Sequence, residues 1–336
     1  MRGWFVSAVW FGVVMIMCSS CQMGRGVAEK GPYVRLSPDF CADSAYDYVF
    51  RQVEFGPRVP GTDAHELCGN YLIGKLSDFG AEVIEQRADV THYDGSNVEI
   101  RNIIGSYNTG KKKRILLFAH WDSRPFADME KESDKQRLPI DGADDGASGV
   151  GVLLEIARQL GHSNVNIGVD IIFFDMEDWG QPSFDREWLE GNWWCIGSQY
   201  WSANPHFEDY NAEFGILLDM VGGTNPTFYK EGYSMQYAKN VVEKVWSTAI
   251  NLGYGDYFLN KPEGYITDDH VPINESGLTK CIDIINLKKD SMSGFVEHWH
   301  THKDDMRNID KKSLEIVGQT LLEVLYKEDK RIYENN

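Results

Sequence analysis

Residues for thiolate zinc chemistry are the first thing missing. Beyond residue 21 the chain has four cysteines, Cys41, Cys68, Cys195 and Cys281, far apart and never in a C-x-x-C pair, so sulfur-ligated zinc modules are excluded. Positive charge is scarce as well. Lys and Arg total 33 against 51 Asp and Glu, a formal net charge of −18, which excludes binding that neutralises a phosphate backbone with clustered cations. The one basic run, Lys111 to Arg114, follows "YNTG" and reads as a solvated hairpin tip. No apolar run reaches the ~20 residues of a membrane-spanning helix. What is present is the composition of a folded protein: 42% hydrophobic, 12% aromatic and 25% charged residues over 336 positions, enough apolar material to bury a core.

The N-terminal segment "MRGWFVSAVWFGVVMIMCSSC" places Arg2 before fourteen uncharged, mostly apolar residues, Trp4 to Met17. That pattern predicts a signal peptide over 1–21. The serines before Cys21 suggest lipoprotein cleavage with Cys21 as the lipidated residue, although Cys18 replaces the usual aliphatic residue; plain secretion is the alternative. Either route carries the protein out of the cytoplasm, to the periplasm and a membrane anchor in the first case. Residues 22–40, with Gly, Pro and mixed charge but no period, are expected to be a tether, and 41–332 a single catalytic domain. In an oxidising compartment the expected disulfide is Cys41 with Cys68, both in adjacent helical segments; the alternative is four buried thiols.

Periodicity predicts helices over about 42–54 and, capped by Thr62, to about 79, where Leu67, Tyr71, Leu72 and Leu76 recur at helical spacing. Strand and helix patterns then alternate. "RILLFA", "GVDIIFF", "FGILLD" and "CIDIIN" are short apolar strands, and "GASGVGVLLEIARQLG" is an amphipathic helix ending at Gly161. Such alternation predicts an α/β three-layer sandwich, a mixed, mostly parallel sheet flanked by helices. Ligands in such sheets collect beyond the carboxyl ends of the strands.

Polar residues stand at those ends. His120 and Asp122 follow "RILLFA", "DMED" follows "GVDIIFF", Asp219 ends "FGILLD", and the loop after "CIDIIN" leads to "HWHTH". The stretch "IIFFDMEDWG" crowds Asp175, Glu177 and Asp178 into four positions, where mutual repulsion demands a nearby positive partner. With Asp144 and Asp145 in "DGADDGASG" and the acids of "TDDH", these carboxylates and imidazoles suit a divalent cation, with oxygen and nitrogen ligands of the kind catalytic zinc takes. Neighbouring Glu177 and Asp178 point in different directions, so one can bind metal while the other stays free as a general base.

The ordered set "HWDS", "GADDGASG", "FFDMED", "LLDMVGGTNP", "TDDHVP" and "EHWHT" resembles the zinc aminopeptidase-like fold, and specifically its glutaminyl cyclase branch, over roughly residues 42–330. The resemblance implies one zinc per chain held by Asp145, Asp178 and His300, with Asp178 standing where animal cyclases have Glu. It also implies Glu177 as general acid/base, Asp219 and Asp268 as carboxylates hydrogen-bonded near it, and Phe295 and Trp299 as aromatic walls. A further pocket tryptophan falls in the inserted segment "WGQPSFDREWLEGNWWCIGS"; Trp193 is the expected residue, with Trp179 and Trp194 close behind. The implied reaction converts the N-terminal glutamine of peptides or proteins to pyroglutamate with release of ammonia. A zinc aminopeptidase with a second metal on His120 and Asp219 around a bridging Asp145 is the rival. A binding module that has lost catalysis is a third reading, against which every ligand position is intact.

Overall fold

The computed structural model describes Met1 and residues 33–334, so the expected signal peptide and the lipidation site Cys21 lie outside the described residues. Two helices come first, α1 (Ala42–Glu54) and α2 (Asp63–Asp78), then β1 (Glu82–Thr91), β2 (Asn97–Tyr107), β3 (Arg114–His120), α3 (Ala147–Gly161), β4 (Gly168–Phe174) and α4 (Ile196–Ala203). The remainder runs β5 (Phe214–Asp219), β6 (Phe228–Glu231), α5 (Gly232–Asn251), β7 (Phe258–Glu263), α6 (His270–Ser276), β8 (Cys281–Ile285) and α7 (Lys311–Glu334). Thr62 caps α2 as expected, its hydroxyl accepting the His65 N–H at 3.2 Å. Leu67 does not share the buried face of that helix; Cys68, Leu72 and Leu76 do.

Six strands form one mixed sheet in the order β1-β2-β4-β3-β5-β8. β3 is parallel to β4 and β5, and β5 to β8, whereas β1 and β2 add an antiparallel edge. Every residue of β3, β4, β5 and β8 is buried, as parallel strands covered on both faces require. The alternation of side chains splits the core in two. Ile115 and Leu117 join Val49 of α1, Leu153 of α3 and Leu321 of α7 on one face, while Leu116 and Phe118 join Trp201 of α4 and Ile273 of α6 on the other. In the parallel register His120 lies opposite Phe174, and Asp219 opposite Ile285, so four carboxyl ends share one edge.

Three further sequence expectations change, and one feature is new. Lys111–Arg114 is not a hairpin tip, because β2 and β3 each pair with β4 and not with each other. Arg114 is buried at the start of β3, its Nε 2.7 Å from Asp170 of β4, in space left by the missing side chain of Gly168 opposite. The Cys41–Cys68 disulfide is not formed: all four described cysteines are free. α1 packs chiefly on α3 and α7, whereas α2 packs chiefly on β1 and β2. The tether ends earlier than residue 40. Ser37 N–H donates to Glu323 at 2.9 Å and Phe40 N–H to Gln319 at 2.9 Å, and the Phe40 ring lies over Gly318, docking this segment on α7. Finally, β6 and β7 form a small parallel pair that no apolar run announced.

Candidate metal centre and catalytic pocket

Three expected ligands converge. Asp145 comes from the loop before α3, Asp178 from the loop after β4 and His300 from the loop after β8, and each offers a ligand atom within 4.8 Å of the others. All three are buried. His300 Nε2 stands 3.1 Å from Asp178 Oδ1 and 3.7 Å from Asp145 Oδ2. The second oxygen of Asp178 and the Oδ2 of Asp145 are buried without a hydrogen-bond partner, which costs free energy unless something positive completes them. Two orphaned carboxylate oxygens beside an imidazole nitrogen fit a divalent zinc ion.

Around this trio runs a frame of other acids. Asp128 Oδ1 lies 3.2 Å from His300 Nδ1 and is itself gripped by Arg124, with Nε and Nη2 each at 2.8 Å; such a partner fixes the tautomer and orientation of a ligating histidine. Asp122 accepts the backbone N–H groups of Glu177 and Asp178, both at 3.2 Å. Asp304 accepts those of Asp144 and Asp145 at 2.7 and 3.1 Å. Asp144 turns away from the trio, accepting from Gly222 N–H at 2.7 Å and pairing with His298 at 2.8 Å. Asp175 is likewise a brace: His65 approaches both its oxygens at 3.0 Å, and Arg101 N–H donates at 2.7 Å. The crowding in "IIFFDMEDWG" therefore resolves into a brace at Asp175, a carboxyl lining the cavity at Glu177 and a candidate ligand at Asp178. Met176, Cys195, Met220 and His300 carry four of the seven positive φ values among described non-glycine residues, so backbone strain is concentrated where the site is built.

Glu177 is buried, and Cys195 Sγ lies 3.3 Å from its Oε1. Burial, then the charge of Asp268, pushes the Glu177 carboxyl well above its ordinary value. Burial and Asp219 push Asp268 up to about 7, and burial together with Asp145 takes Asp219 to about 6, against the pull of His120. His120 is raised despite its burial because Asp122, Asp145 and Asp219 surround it. Its Nε2 is 3.1 Å from Asp145 Oδ1 and 3.3 Å from Asp219 Oδ1. Burial and mutual repulsion thus disfavour full charge on all of Glu177, Asp219 and Asp268 at once.

The patch floors a cavity of about 320 Å³ walled by Trp194, Phe295, Trp299, Ile266 and Met220. Trp299 stacks on the His300 imidazole at 3.7 Å and meets Phe295 at 4.6 Å. Trp194, not Trp193, supplies the further tryptophan. After the insertion, Cys195, Ile196 and Gly197 return N–H bonds to the carbonyls of Glu177, Met176 and Asp175 at 3.0, 2.9 and 2.9 Å. That ladder sets Trp194 over Gly180 and 4.8 Å from the Arg124 guanidinium, its ring nearly parallel to His300. Trp193 folds against Gly191 instead, and Trp179 packs on His92. Asp128, Asp304 and His65 escaped sequence reasoning, which singled out Asp122 at its strand end but not its task of holding backbone amides. Of the three, only Asp128, in an i, i+4 pair with Arg124, left a trace in the sequence.

A family model described as peptidase family M28 matches residues 102–325. A solved glutaminyl cyclase of Bacteroides thetaiotaomicron, bound to N-acetylhistamine, is 54% identical, covering 86% of this chain and 99% of its own with a TM-score of 0.84. A Zn-dependent exopeptidase of Parabacteroides distasonis is 56% identical, covering 86% and 99%, with a TM-score of 0.85. Glutaminyl-peptide cyclotransferase of Bos taurus is 24% identical over 299 residues, 79% of this chain and 76% of its own length.

Proposed function

The chain belongs to peptidase family M28, and from that premise we propose that this enzyme is a glutaminyl-peptide cyclotransferase. Its substrates are peptides or proteins with an N-terminal glutamine, converted to pyroglutamate with release of ammonia. The observation that carries the reading is the placement of Glu177, buried beside Asp178 and Asp268 at the floor of an aromatic-walled cavity. The likeness to the solved Bacteroides cyclase supports it.

Trp194, Phe295 and Trp299 offer flat apolar faces to a small, uncharged carboxamide, and hold the glutamine side chain folded towards its own α-amine. An intramolecular attack held in this way gains much of its rate from orientation. The amine nitrogen bonds to the side-chain carbonyl carbon, the bond from that carbon to the amide nitrogen breaks, and ammonia leaves. Glu177 takes the proton released by the attacking amine and returns it to the departing nitrogen. Asp268 acts on Glu177 by charge, and Asp219 on Asp268, keeping the proton affinity of Glu177 high enough for both transfers. Asp145, Asp178 and His300 would hold the zinc, which would supply Lewis-acid polarisation of the carboxamide. Export with lipid attachment at Cys21 belongs to the same proposal, resting on Arg2 and the apolar run Trp4–Met17.

One observation favours a second reading. His120, Asp145 and Asp219 can also bring ligand atoms within 4.8 Å of one another, as a two-metal aminopeptidase requires. Incubating the zinc-loaded protein with glutamine-initiated dipeptides separates the two. Ammonia with one zinc per chain supports the cyclotransferase; free glutamine with two metals per chain overturns it.

A further inference from the structure

Most residues around the catalytic cavity are buried or half-buried, but Tyr265 and Thr267 are exposed, which puts the 264–267 loop at its mouth. Tyr265 is 67% exposed, yet its position is built in detail. Gly264 adopts φ +63, a left-handed conformation that glycine takes without strain. Gly232 N–H donates to the Gly264 carbonyl at 2.8 Å, and Ile266 N–H donates to Glu231 at 3.0 Å, so the backbone on both sides of Tyr265 is tied to the start of α5. The ring lies against Gly232, where a Cβ would come within 2.7 Å of Tyr265 Cδ1, and Tyr233 meets it edge-on with centroids 5.1 Å apart at 83°. One side of the ring is therefore seated, while the residue borders the cavity.

With the glutamine carboxamide directed to the floor at Glu177, the rest of the peptide must leave past this mouth. We propose that Tyr265 is the platform for the second residue of the substrate and selects an aromatic side chain there. This inference rests on the cyclotransferase reading. An aromatic pair in stacked or edge-on contact changes relative affinity by about three- to tenfold, and a glycine at the second position forgoes that contact.

The test compares kcat/KM for Gln-Phe and Gln-Gly peptides in the wild type, Tyr265→Phe and Tyr265→Ala. The wild type should favour Gln-Phe. That preference should persist in Tyr265→Phe and drop about three- to tenfold in Tyr265→Ala, chiefly through KM. A preference unchanged in Tyr265→Ala, or absent from the wild type, overturns the platform. Calorimetric binding of both peptides to Glu177→Gln, with and without Tyr265→Ala, repeats the comparison without turnover. The absence of ammonia in the wild type would count against the cyclotransferase, whereas an unaltered binding ratio would count against Tyr265.

Discussion

Replacing Asp268 with asparagine should stabilise the metal-free protein at neutral and higher pH while damaging turnover. The side chain is buried; Oδ1 accepts the Asp269 N–H at 2.6 Å and Oδ2 has no hydrogen-bond partner. Burial and Asp219 push its carboxyl from 3.8 up to about 7. A folded-state pKa above the unfolded one means that the neutral acid favours the fold: its contribution is fully present below about pH 4 and is lost as pH rises towards about 7. The span is about three units, and at ~1.36 kcal/mol per unit the loss is bounded near 4 kcal/mol. Removing one charge from a coupled cluster lets its neighbours ionise more freely, so about 2 kcal/mol, or roughly 5 °C in Tm, is expected. Asparagine keeps the Oδ1 acceptor and turns an amide towards the acids that repel Asp268. Thermal unfolding of chelator-stripped wild type and Asp268→Asn should show a gap that opens between about pH 4 and pH 7 and is constant above that. A variant less stable than wild type at about pH 8, or a gap independent of pH, refutes the electrostatic argument. With zinc restored, kcat should drop by about 100-fold.

Glu177→Gln should abolish ammonia release while zinc content by elemental analysis stays near that of the wild type; concurrent metal loss would make Glu177 a ligand. His300→Ala should empty the centre, and full metal occupancy in that variant would show the ligand set to be wrong. Asp128→Asn should weaken zinc binding by about 10- to 100-fold in chelator competition through loosened orientation of His300, and unchanged affinity would make Asp128 a purely structural residue. Burial lowers the His300 pKa, but Asp178 and Asp128 outweigh it and raise it above the ordinary value. Ligation needs the neutral ring, so zinc retention should weaken as pH falls through that raised range; retention independent of pH would contradict it.

The parallel sheet was legible because fully buried strands such as "RILLFA" and "GVDIIFF" need no partner to be recognised, and parallel register then gathers their ends automatically. The six ordered motifs pointed to Asp145, Asp178 and His300, which the structure brings together. Other features depend on information that the local sequence does not hold. Trp193 and Trp194 are adjacent, and the choice between them is made by backbone bonds from Cys195 to Gly197 back to residues 175–177. Arg114 reads as surface charge until β4 supplies Asp170 and the gap at Gly168. His65 braces Asp175 across 110 positions of sequence, a pairing that helical periodicity in α2 cannot reveal. Asp122 and Asp304 serve backbone amides, and no motif marks a carboxylate for that task.

The placement of His300 after β8 has a consequence for timing. β8 is the outermost parallel strand, pairing along β5, and until it docks the third ligand has no fixed place beside Asp145 and Asp178. The proposed ligand set is therefore complete only when β8, encoded late in the chain, is paired with β5. A polypeptide crossing a membrane unfolded would arrive with its ligands still apart and collect its ion from the destination compartment.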